Sequence, residues 1–287
     1  MKATENIAAN WRDYECLDAG DGEKLERWGK FVLQRPDPTA IWPKANPALW
    51  SKADAIYHRS KAGGGFWQYI KKLPETWNIQ YQDLTFKVSP TGFKHTGLFP
   101  EQAANWDWFS SLIQNAATPV KVLNLFAYTG GATMAAAKAG ASLTHVDAAK
   151  GMVSWAKENS QLCQLENHPI RYLVDDVPKF IQREIRRNNH YEGIILDPPS
   201  YGRGPGGEVW KLEDQLYTLL SEAARLLSEK PLFFLINTYT TGFSALALAN
   251  ILNLIFPKQT VETGQLGLPI TESKLVLPCG IYGRVIF

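Results

Sequence analysis

The sequence predicts an α/β protein with a doubly wound, mainly parallel sheet of seven strands, preceded by a smaller, mainly β domain. From about residue 100 onward, short apolar runs alternate with helix-like segments through five strand–helix units, and two more strands follow. Such alternation is typical of a parallel sheet with helices on both faces. Residues 1–92 lack the alternation and contain short aromatic runs between turns. We therefore expect a mainly β domain over 1–92, with substrate recognition as its role, and a ligand-binding domain over 93–287.

The elements of the first domain follow from turn residues and aromatic runs. Residues 14–36 predict two or three strands about a turn at Gly20-Asp21-Gly22. Residues 47–59 predict a helix, with Pro47 near its start. The runs FWQYI, WNIQY and LTFKV predict strands. Seven of the ten tryptophans precede residue 107, and packing of this β layer is favoured over stacking on nucleic-acid bases as their use.

The elements of the second domain follow from apolar periodicity. Helices are predicted over 101–116, 129–140, 152–165, 177–189, 212–228 and 241–256, and strands over 120–126, 142–148, 170–176, 192–199 and 231–239. Ligands of such sheets bind outside the carboxyl ends of the strands, where the strand order reverses. The residues that follow each strand are therefore the candidates for a functional site.

Composition limits the class of protein. Hydrophobic residues make up 45% of the 287 and charged residues 20%, as in ordinary globular proteins. No apolar run approaches the ~18 residues of a membrane span, and the amino terminus lacks a secretory core. We therefore expect a cytoplasmic protein without a membrane partner. The net charge of +2 neither indicates nor excludes nucleic acid.

The three cysteines are Cys16, Cys163 and Cys279, far apart in sequence and without a CxxC pair. This spacing predicts reduced, mostly buried thiols rather than a disulfide framework or a zinc site. We expect no metal.

The first strand of the second domain leads into a glycine loop, NLFAYTGGAT, at residues 124–133. Its small residues allow a ligand to approach the backbone, and the following helix offers N–H groups to an anion. The spacing is neither the GxGxxG of dinucleotide-binding proteins nor the GxxxxGK[ST] of nucleoside triphosphate sites.

Acidic residues end the next three strands. Asp147 lies seventeen residues after Gly130, where a carboxylate can accept hydrogen bonds from ribose hydroxyls. The alternative is that Asp147 caps the amino terminus of the next helix. The third strand ends at Asp175-Asp176, where a carboxylate could accept a hydrogen bond from an exocyclic amine of the ligand. The alternative is again a cap of the following helix, and for Asp175 we prefer this alternative. The fourth ends at Asp197 before two prolines. A glycine loop and three acids in this order predict a pocket for an adenosine ligand with a carboxylate-bearing tail.

These motifs resemble those of the class I S-adenosylmethionine-dependent methyltransferases, whose sheet is Rossmann-like. More narrowly, VLNLFAYTGGAT, VDA, the Asp-Asp pair and DPPSYGRG resemble the bacterial 23S ribosomal RNA methyltransferases that modify cytosine or guanine. HTGLFPEQ at 95–102 is similar to the TGxFxxQ segment of that group. The resemblance covers residue 90 to the end closely and the earlier strands loosely. Members often carry a preceding RNA-binding module, which we do not expect here.

The resemblance implies S-adenosyl-L-methionine as cofactor. Phe126 to Gly131 would surround the methionine portion, Asp147 would bind the ribose diol and Asp176 the adenine amine, with backbone from Val177. Gln102 resembles a glutamine that reaches the methionine tail; the alternative is a helix-surface amide. The predicted cofactor-binding set is Gln102, Asn124, Phe126, Ala127, Tyr128, Thr129, Gly130, Gly131, Asp147, Ala148, Asp176 and Val177.

The predicted catalytic residues are Asp197, Pro198, Pro199 and Tyr201. A carboxylate and a carbonyl that accept hydrogen bonds from an exocyclic amine raise the electron density on its nitrogen, and the prolines hold the carbonyl rigidly. DPPSY resembles the [DNS]PP[YF] signature of amino-methyltransferases, except that the aromatic comes one place later. Tyr201 could stack on the base. The alternative reading is a strand that simply ends on Asp and Pro-Pro.

The function predicted is methylation of a base of ribosomal RNA, with an exocyclic amine favoured. Methylation at carbon 5 of cytosine is disfavoured, because it requires a thiolate and no cysteine stands at the end of the fourth or fifth strand; Cys163 falls in a helix and Cys279 just before the last strand. A protein or small-molecule acceptor, or an inactive RNA-binding platform, remain as alternatives. We expect the glycine-rich loop 202–210 to be mobile and to order over substrate, with Arg203 contacting a phosphate or solvated.

Overall fold

The computed structural model describes residues 4–60, 64–92, 94–203, 209–240 and 242–287. The chain divides into two compact units. The sheet unit comprises residues 1–6, 105–266 and 280–287, and the β-rich unit comprises residues 7–104 and 267–279. The division therefore falls after residue 104 rather than at the expected 92, and a short segment near the carboxyl terminus belongs with the β-rich unit.

The elements of the first hundred residues are mostly strands. They are β1 (Thr4–Ile7), β2 (Tyr14–Gly20), β3 (Glu23–Trp28), β4 (Phe31–Pro36), a 3₁₀ helix (Pro47–Lys52), β5 (Ala55–Arg59), β6 (Gly65–Tyr69), β7 (Trp77–Tyr81), β8 (Leu84–Val88) and a 3₁₀ turn (Pro100–Gln102).

Helices and strands alternate in the rest of the chain. The elements are α1 (Ala103–Gln114), β9 (Lys121–Leu125), α2 (Gly131–Lys138), β10 (Ser142–Asp147), α3 (Lys150–Leu162), β11 (Ile170–Val174), α4 (Val177–Arg186), β12 (Gly193–Leu196), β13 (Tyr201–Arg203), β14 (Val209–Lys211), α5 (Leu212–Ala224), β15 (Phe233–Thr238), α6 (Ala245–Ile255), β16 (Thr260–Pro269) and β17 (Val276–Ile286). None of these helices, within the described ranges, is long and apolar enough to cross a membrane.

The main sheet has the strand order β1-β16-β17-β15-β12-β9-β10-β11. β12 pairs in parallel with β9 and β15, β10 pairs in parallel with β9 and β11, and β17 is antiparallel to β15. The predicted doubly wound sheet is confirmed, and β1 adds one strand to the seven expected. The order reverses between β9 and β12, and ligands of such sheets bind outside the carboxyl ends of the strands at this point.

The central strands are apolar because both faces are covered. Every residue of β12 and β15 is buried, as expected for parallel strands between two helical layers. Gly193 starts β12, and a Cβ there would lie 2.6 Å from the ring of Phe233 on the neighbouring strand. α5 contributes buried residues three and four positions apart, namely Leu212, Leu216, Leu219, Leu220 and Ala223.

The β-rich unit contains a five-stranded sheet of order β2-β3-β4-β5-β6 and the hairpin β7-β8. The predicted turn between β2 and β3 is confirmed, with positive φ at Asp21 (53°) and Gly22 (78°). The helix predicted over 47–59 is wrong in its second half. A 3₁₀ helix ends at Lys52, and β5 follows because Ala55 and Tyr57 alternate with more exposed neighbours and pair with β4 and β6.

A buried ion pair joins β3 and β4. Glu26 is fully buried and accepts hydrogen bonds from Arg35 at 2.6 and 2.8 Å and from the Tyr14 hydroxyl at 2.6 Å. Burial alone would raise the pKa of Glu26, but Arg35 and Lys24 outweigh it and lower that pKa to about 2. The carboxylate therefore stays ionised in the interior.

Candidate active site

Backbone hydrogen bonds join the carboxyl ends of the four strands at the reversal of strand order. Ala127, after β9, donates to the carbonyl of Val146 in β10 at 3.0 Å, and Asp175, after β11, donates to the carbonyl of Asp147 at 3.0 Å. Asp197, after β12, donates to the last residue of β9 at 3.3 Å. The glycine loop and the three acidic strand ends therefore form one continuous edge, as their order along the chain predicts.

The glycine loop is held in an unusual backbone conformation. Phe126, Tyr128 and Gly130 have φ values of 56°, 50° and 83°, in the left-handed region that favours glycine. A Cβ on Gly130 would also lie 3.0 Å from the Cβ of Ala156. No side chain caps α2, which starts at Gly131, so its first N–H groups can receive an anionic group such as a carboxylate.

A buried polar cluster supports the loop from below. The Asn124 amide donates to the Thr133 hydroxyl at 2.9 Å, and that hydroxyl lies 2.9 Å from Nδ1 of His145. Burial lowers the pKa of His145 to about 3, so its ring is neutral. Asn159 donates to the carbonyl of Thr129 at 2.8 Å. Asn124 and Thr129 are 2% and 1% exposed, so the structure places these two predicted ligands within the support of the loop.

Asp147 ends β10 and binds the loop directly. Its Oδ2 accepts the Tyr128 N–H at 2.8 Å, and its Oδ1 accepts the Ala149 N–H at 2.8 Å. Burial raises the pKa of Asp147, and these two bonds oppose the rise. Each carboxylate oxygen has a further lone pair, so the group can also accept two hydroxyl donors. The residue at the N-cap of α3 is Ala149, not Asp147, and the exposed Ala148 lies between them.

The two acids after β11 have different hydrogen-bonding partners. Asp176 is the N-cap of α4 and accepts the Lys179 N–H at 3.0 Å. Asp175 forms an ion pair with Arg183. The expectation that Asp175 is the cap was wrong, because α4 begins at Val177 and leaves Asp176 in the capping position. The side chain of Val177 is 2% exposed and packs in the core.

The Asp-Pro-Pro bend leaves the sheet directly after the buried strand β12. Asp197 is half-buried, Pro198 is buried and Pro199 is exposed. The carbonyl of Pro199 accepts the indole N–H of Trp210 at 2.6 Å. Tyr201 lies in β13, opposite Lys211 of β14, and is 52% exposed.

Trp210 is a site residue that the sequence analysis missed. Its ring centroid lies 6.0 Å from that of Phe126 in the glycine loop, so Trp210 joins the end of the fourth strand to the loop after the first. The only sequence signal was a tryptophan at the end of a glycine-rich run. Residues 204–208 of the loop predicted there, and the side chain of Arg203, lie outside the described residues.

Gln102 lies in the 3₁₀ turn of the β-rich unit, whereas the other predicted residues belong to the sheet unit. It is 8% exposed, so it is not a surface amide.

The thiols of Cys16 and Cys163 are buried, and Cys279 is half-buried. Burial raises the pKa of the Cys16 and Cys279 thiols. Over the part of the chain that is described, no three His, Cys, Asp or Glu side chains cluster as metal ligands would.

Comparison with known proteins agrees with this geometry. Residues 51–228 match the family model of S-adenosylmethionine-dependent methyltransferases. The crystal structure of an S-adenosylmethionine-dependent methyltransferase from Agrobacterium tumefaciens superposes with a TM-score of 0.94 at 36% identity, over all of this chain and 94% of that one. A methyltransferase in complex with S-adenosylhomocysteine, SMU.776, superposes with a TM-score of 0.76 at 21% identity, over 96% of this chain and 76% of that one, and so shares the fold.

Two curated relatives carry the name ribosomal RNA large subunit methyltransferase K/L. The protein from Syntrophotalea carbinolica is 32% identical over 53% of this chain and 20% of its own length. The protein from Pseudoalteromonas atlantica is 34% identical over 50% of this chain and 19% of its own length. The matched region is thus about a fifth of each relative.

Proposed function

The chain belongs to the S-adenosylmethionine-dependent methyltransferase family, and we propose that it methylates an exocyclic amine on a base of ribosomal RNA. The observation that carries the proposal is the half-buried carboxylate of Asp197 on a rigid Pro-Pro bend, joined by backbone hydrogen bonding to the strand that leads into the glycine loop.

The residues at the strand ends fit the cofactor. S-adenosylmethionine supplies a methyl group on a sulfonium. The open lone pairs of Asp147 would accept the ribose hydroxyls, and the second oxygen of Asp176 would accept the adenine amine. The uncapped start of α2 would receive the carboxylate of the methionine tail. The positive φ of Gly130 allows close approach of the backbone.

The acceptor side of the site suits an amine. An exocyclic amine is a poor nucleophile, because its lone pair is conjugated into the ring of the base. Asp197 would accept one N–H of the amine and the carbonyl of Pro198 the other, which returns electron density to nitrogen and orients its lone pair. The bond from Trp210 to the carbonyl of Pro199 holds the bend in place. Tyr201 remains the predicted stacking partner for the base.

Ribosomal RNA as the acceptor is supported by the names of the curated relatives. Attack by a thiolate on cytosine is disfavoured. Cys163 is 2% exposed at the carboxyl end of α3, and the other two cysteines belong to the β-rich unit.

The acceptor is tested by mass spectrometry of ribosomal RNA nucleosides from a deletion strain. We expect loss of one modified base that carries a methylated exocyclic amine, and its restoration when purified protein and cofactor are added to the RNA. Loss of 5-methylcytidine instead would overturn the proposal that the methyl group is transferred to an exocyclic amine. An unchanged nucleoside profile, with methyl transfer only to protein or small molecules, would overturn the RNA acceptor.

The role of Asp197 is tested with Asp197→Asn in the same assay. We expect the transfer rate to fall by about a hundredfold or more, since one acceptor becomes a donor, while affinity for S-adenosylhomocysteine stays within about twofold. Asp214→Asn, at an exposed position in the first turn of α5, is the matched control and should be fully active. Normal turnover of Asp197→Asn would remove the carboxylate from the mechanism.

A further inference from the structure

Two large aromatic side chains are exposed on the edge strand of the five-stranded sheet. Phe66 and Tyr69, both on β6, are 63% and 53% exposed, and β6 is the last strand in the order of that sheet. Edge strands are usually shielded or carry charge, because exposed apolar side chains there promote unwanted association. The exposed ring of Phe66 on this edge strand is therefore a candidate contact for a binding partner.

Phe66 belongs to a preassembled group of side chains on one face of the sheet. The register pairs Phe66 with His58 of β5, and Gln68 lies two residues further along the same face. The rings of Phe66 and His58 lie 5.2 Å apart with an angle of 34° between their planes. Nε2 of His58 lies 2.7 Å from the Oε1 of Gln68, so the imidazole donates to the amide oxygen and is fixed beside the phenyl ring. The amide nitrogen of Gln68 still has donors to offer.

The same hairpin concentrates positive charge. Residues 55–72 contain four Lys or Arg and no Asp or Glu, in a chain whose net charge is only +2. Among the described basic residues of this segment, Arg59, Lys71 and Lys72 are exposed. Lys71 forms an ion pair with Asp54, which lies just before the segment. The exposed ring of Phe66 and this excess of positive charge match the two features by which proteins recognise single-stranded nucleic acid, base faces and phosphates.

We propose that the face formed by His58, Phe66 and Gln68 binds single-stranded RNA. One base stacks on the Phe66–His58 pair, the Gln68 amide contacts its edge, and Arg59, which pairs with Gly65 beside Phe66, attracts an adjacent phosphate. Lys72, beyond the other end of β6, attracts a phosphate further along the strand of RNA. The choice of RNA rests on the proposed function, and the surface would be a substrate-binding surface outside the site of methyl transfer.

The test measures binding of a fluorescein-labelled, adenosine-rich single-stranded RNA of about 12 nucleotides to the full chain by fluorescence anisotropy. Phe66→Ala should weaken binding about fivefold or more, the loss expected for one stacked base. Because Phe66 is on the surface, the variant should keep the circular dichroism spectrum and S-adenosylhomocysteine affinity of the parent.

Two matched controls isolate the face. Tyr69→Ala removes a ring of 53% exposure from the opposite face of the same strand, and Tyr217→Ala removes a ring of 53% exposure from α5, whose first turn is acidic. Both should bind the RNA like the parent. Lys72→Gln should weaken binding and reduce its salt dependence by about one phosphate contact.

Equal binding by Phe66→Ala and the parent, or an equal loss in Tyr69→Ala or Tyr217→Ala, would overturn the proposal. Phe66-dependent binding to vesicles of anionic lipid, without such binding to RNA, would identify a membrane surface instead and would also overturn it. The proposed function fails separately: RNA binding that depends on Phe66, together with no methyl transfer to ribosomal RNA, would keep this surface and overturn the acceptor.

Discussion

Asp147→Ala is the substitution that tests the cofactor site most directly. The carboxylate accepts two backbone N–H groups, each at 2.8 Å, and has lone pairs left for two hydroxyls. A hydrogen bond to a charged group is worth about 1.5–3 kcal/mol, and the lower figure suits a half-buried side chain. Loss of two ribose hydroxyl bonds therefore costs about 3 kcal/mol, or roughly a hundredfold in affinity. Loss of the two loop bonds adds to this by loosening Tyr128.

The assay is calorimetric titration with S-adenosylhomocysteine, and two variants separate the contributions. Asp147→Asn keeps one acceptor oxygen and should lose less affinity than Asp147→Ala. Asp176→Asn measures the adenine contact separately, because Asn caps a helix as well as Asp; α4 stays intact, and only the contact with the adenine amine weakens. A dissociation constant for folded Asp147→Ala within about twofold of the parent value would refute the ribose assignment.

The same titration has a predicted pH dependence. Burial raises the pKa of Asp147, and only the ionised carboxylate accepts from both hydroxyls. Affinity for S-adenosylhomocysteine should therefore be full above this raised pKa and decline as pH falls through it. In Asp147→Asn the decline should be absent, so an identical pH profile for the two proteins would contradict the assignment.

Three further outcomes are expected. Gly130→Ala should lower the free energy of unfolding in urea by about 1–2 kcal/mol, the cost of an alanine in the left-handed conformation, and should weaken cofactor binding. An unchanged urea midpoint would show that alanine is not strained at this position. Trp210→Phe removes the bond to Pro199 and should slow methyl transfer up to about tenfold at unchanged cofactor affinity, whereas equal losses in both would indicate a general structural role. Glu26→Gln should destabilise the β-rich unit by about 3–5 kcal/mol, since Arg35 is left without its counter-charge. The parent's contribution from Glu26 is present above its unfolded pKa near 4.5 and is lost as pH falls toward about 2, so urea midpoints measured against pH should decline in acid for the parent more than for the variant.

The sequence by itself determined the features that depend on neighbouring residues. Apolar periodicity identified the five strand–helix units, because the burial of a helix or strand repeats over a few residues. The same locality identified Gly130, Asp147 and Asp197 as strand-end residues. Their convergence followed from the rule that parallel strands end at one edge of a sheet.

Tertiary structure decided what depends on residues far apart in the chain. Residues 55–59 became a strand because β4 and β6 supply hydrogen-bonding partners, which no local pattern contains. Trp210 entered the site through a bond to Pro199 and a ring contact with Phe126. Both depend on the pairing of β13 with β14, which the sequence pattern did not predict. Which of two adjacent acids caps α4 depended on where that helix starts. Contacts of this kind are set by strand register and helix packing, and a sequence pattern specifies neither.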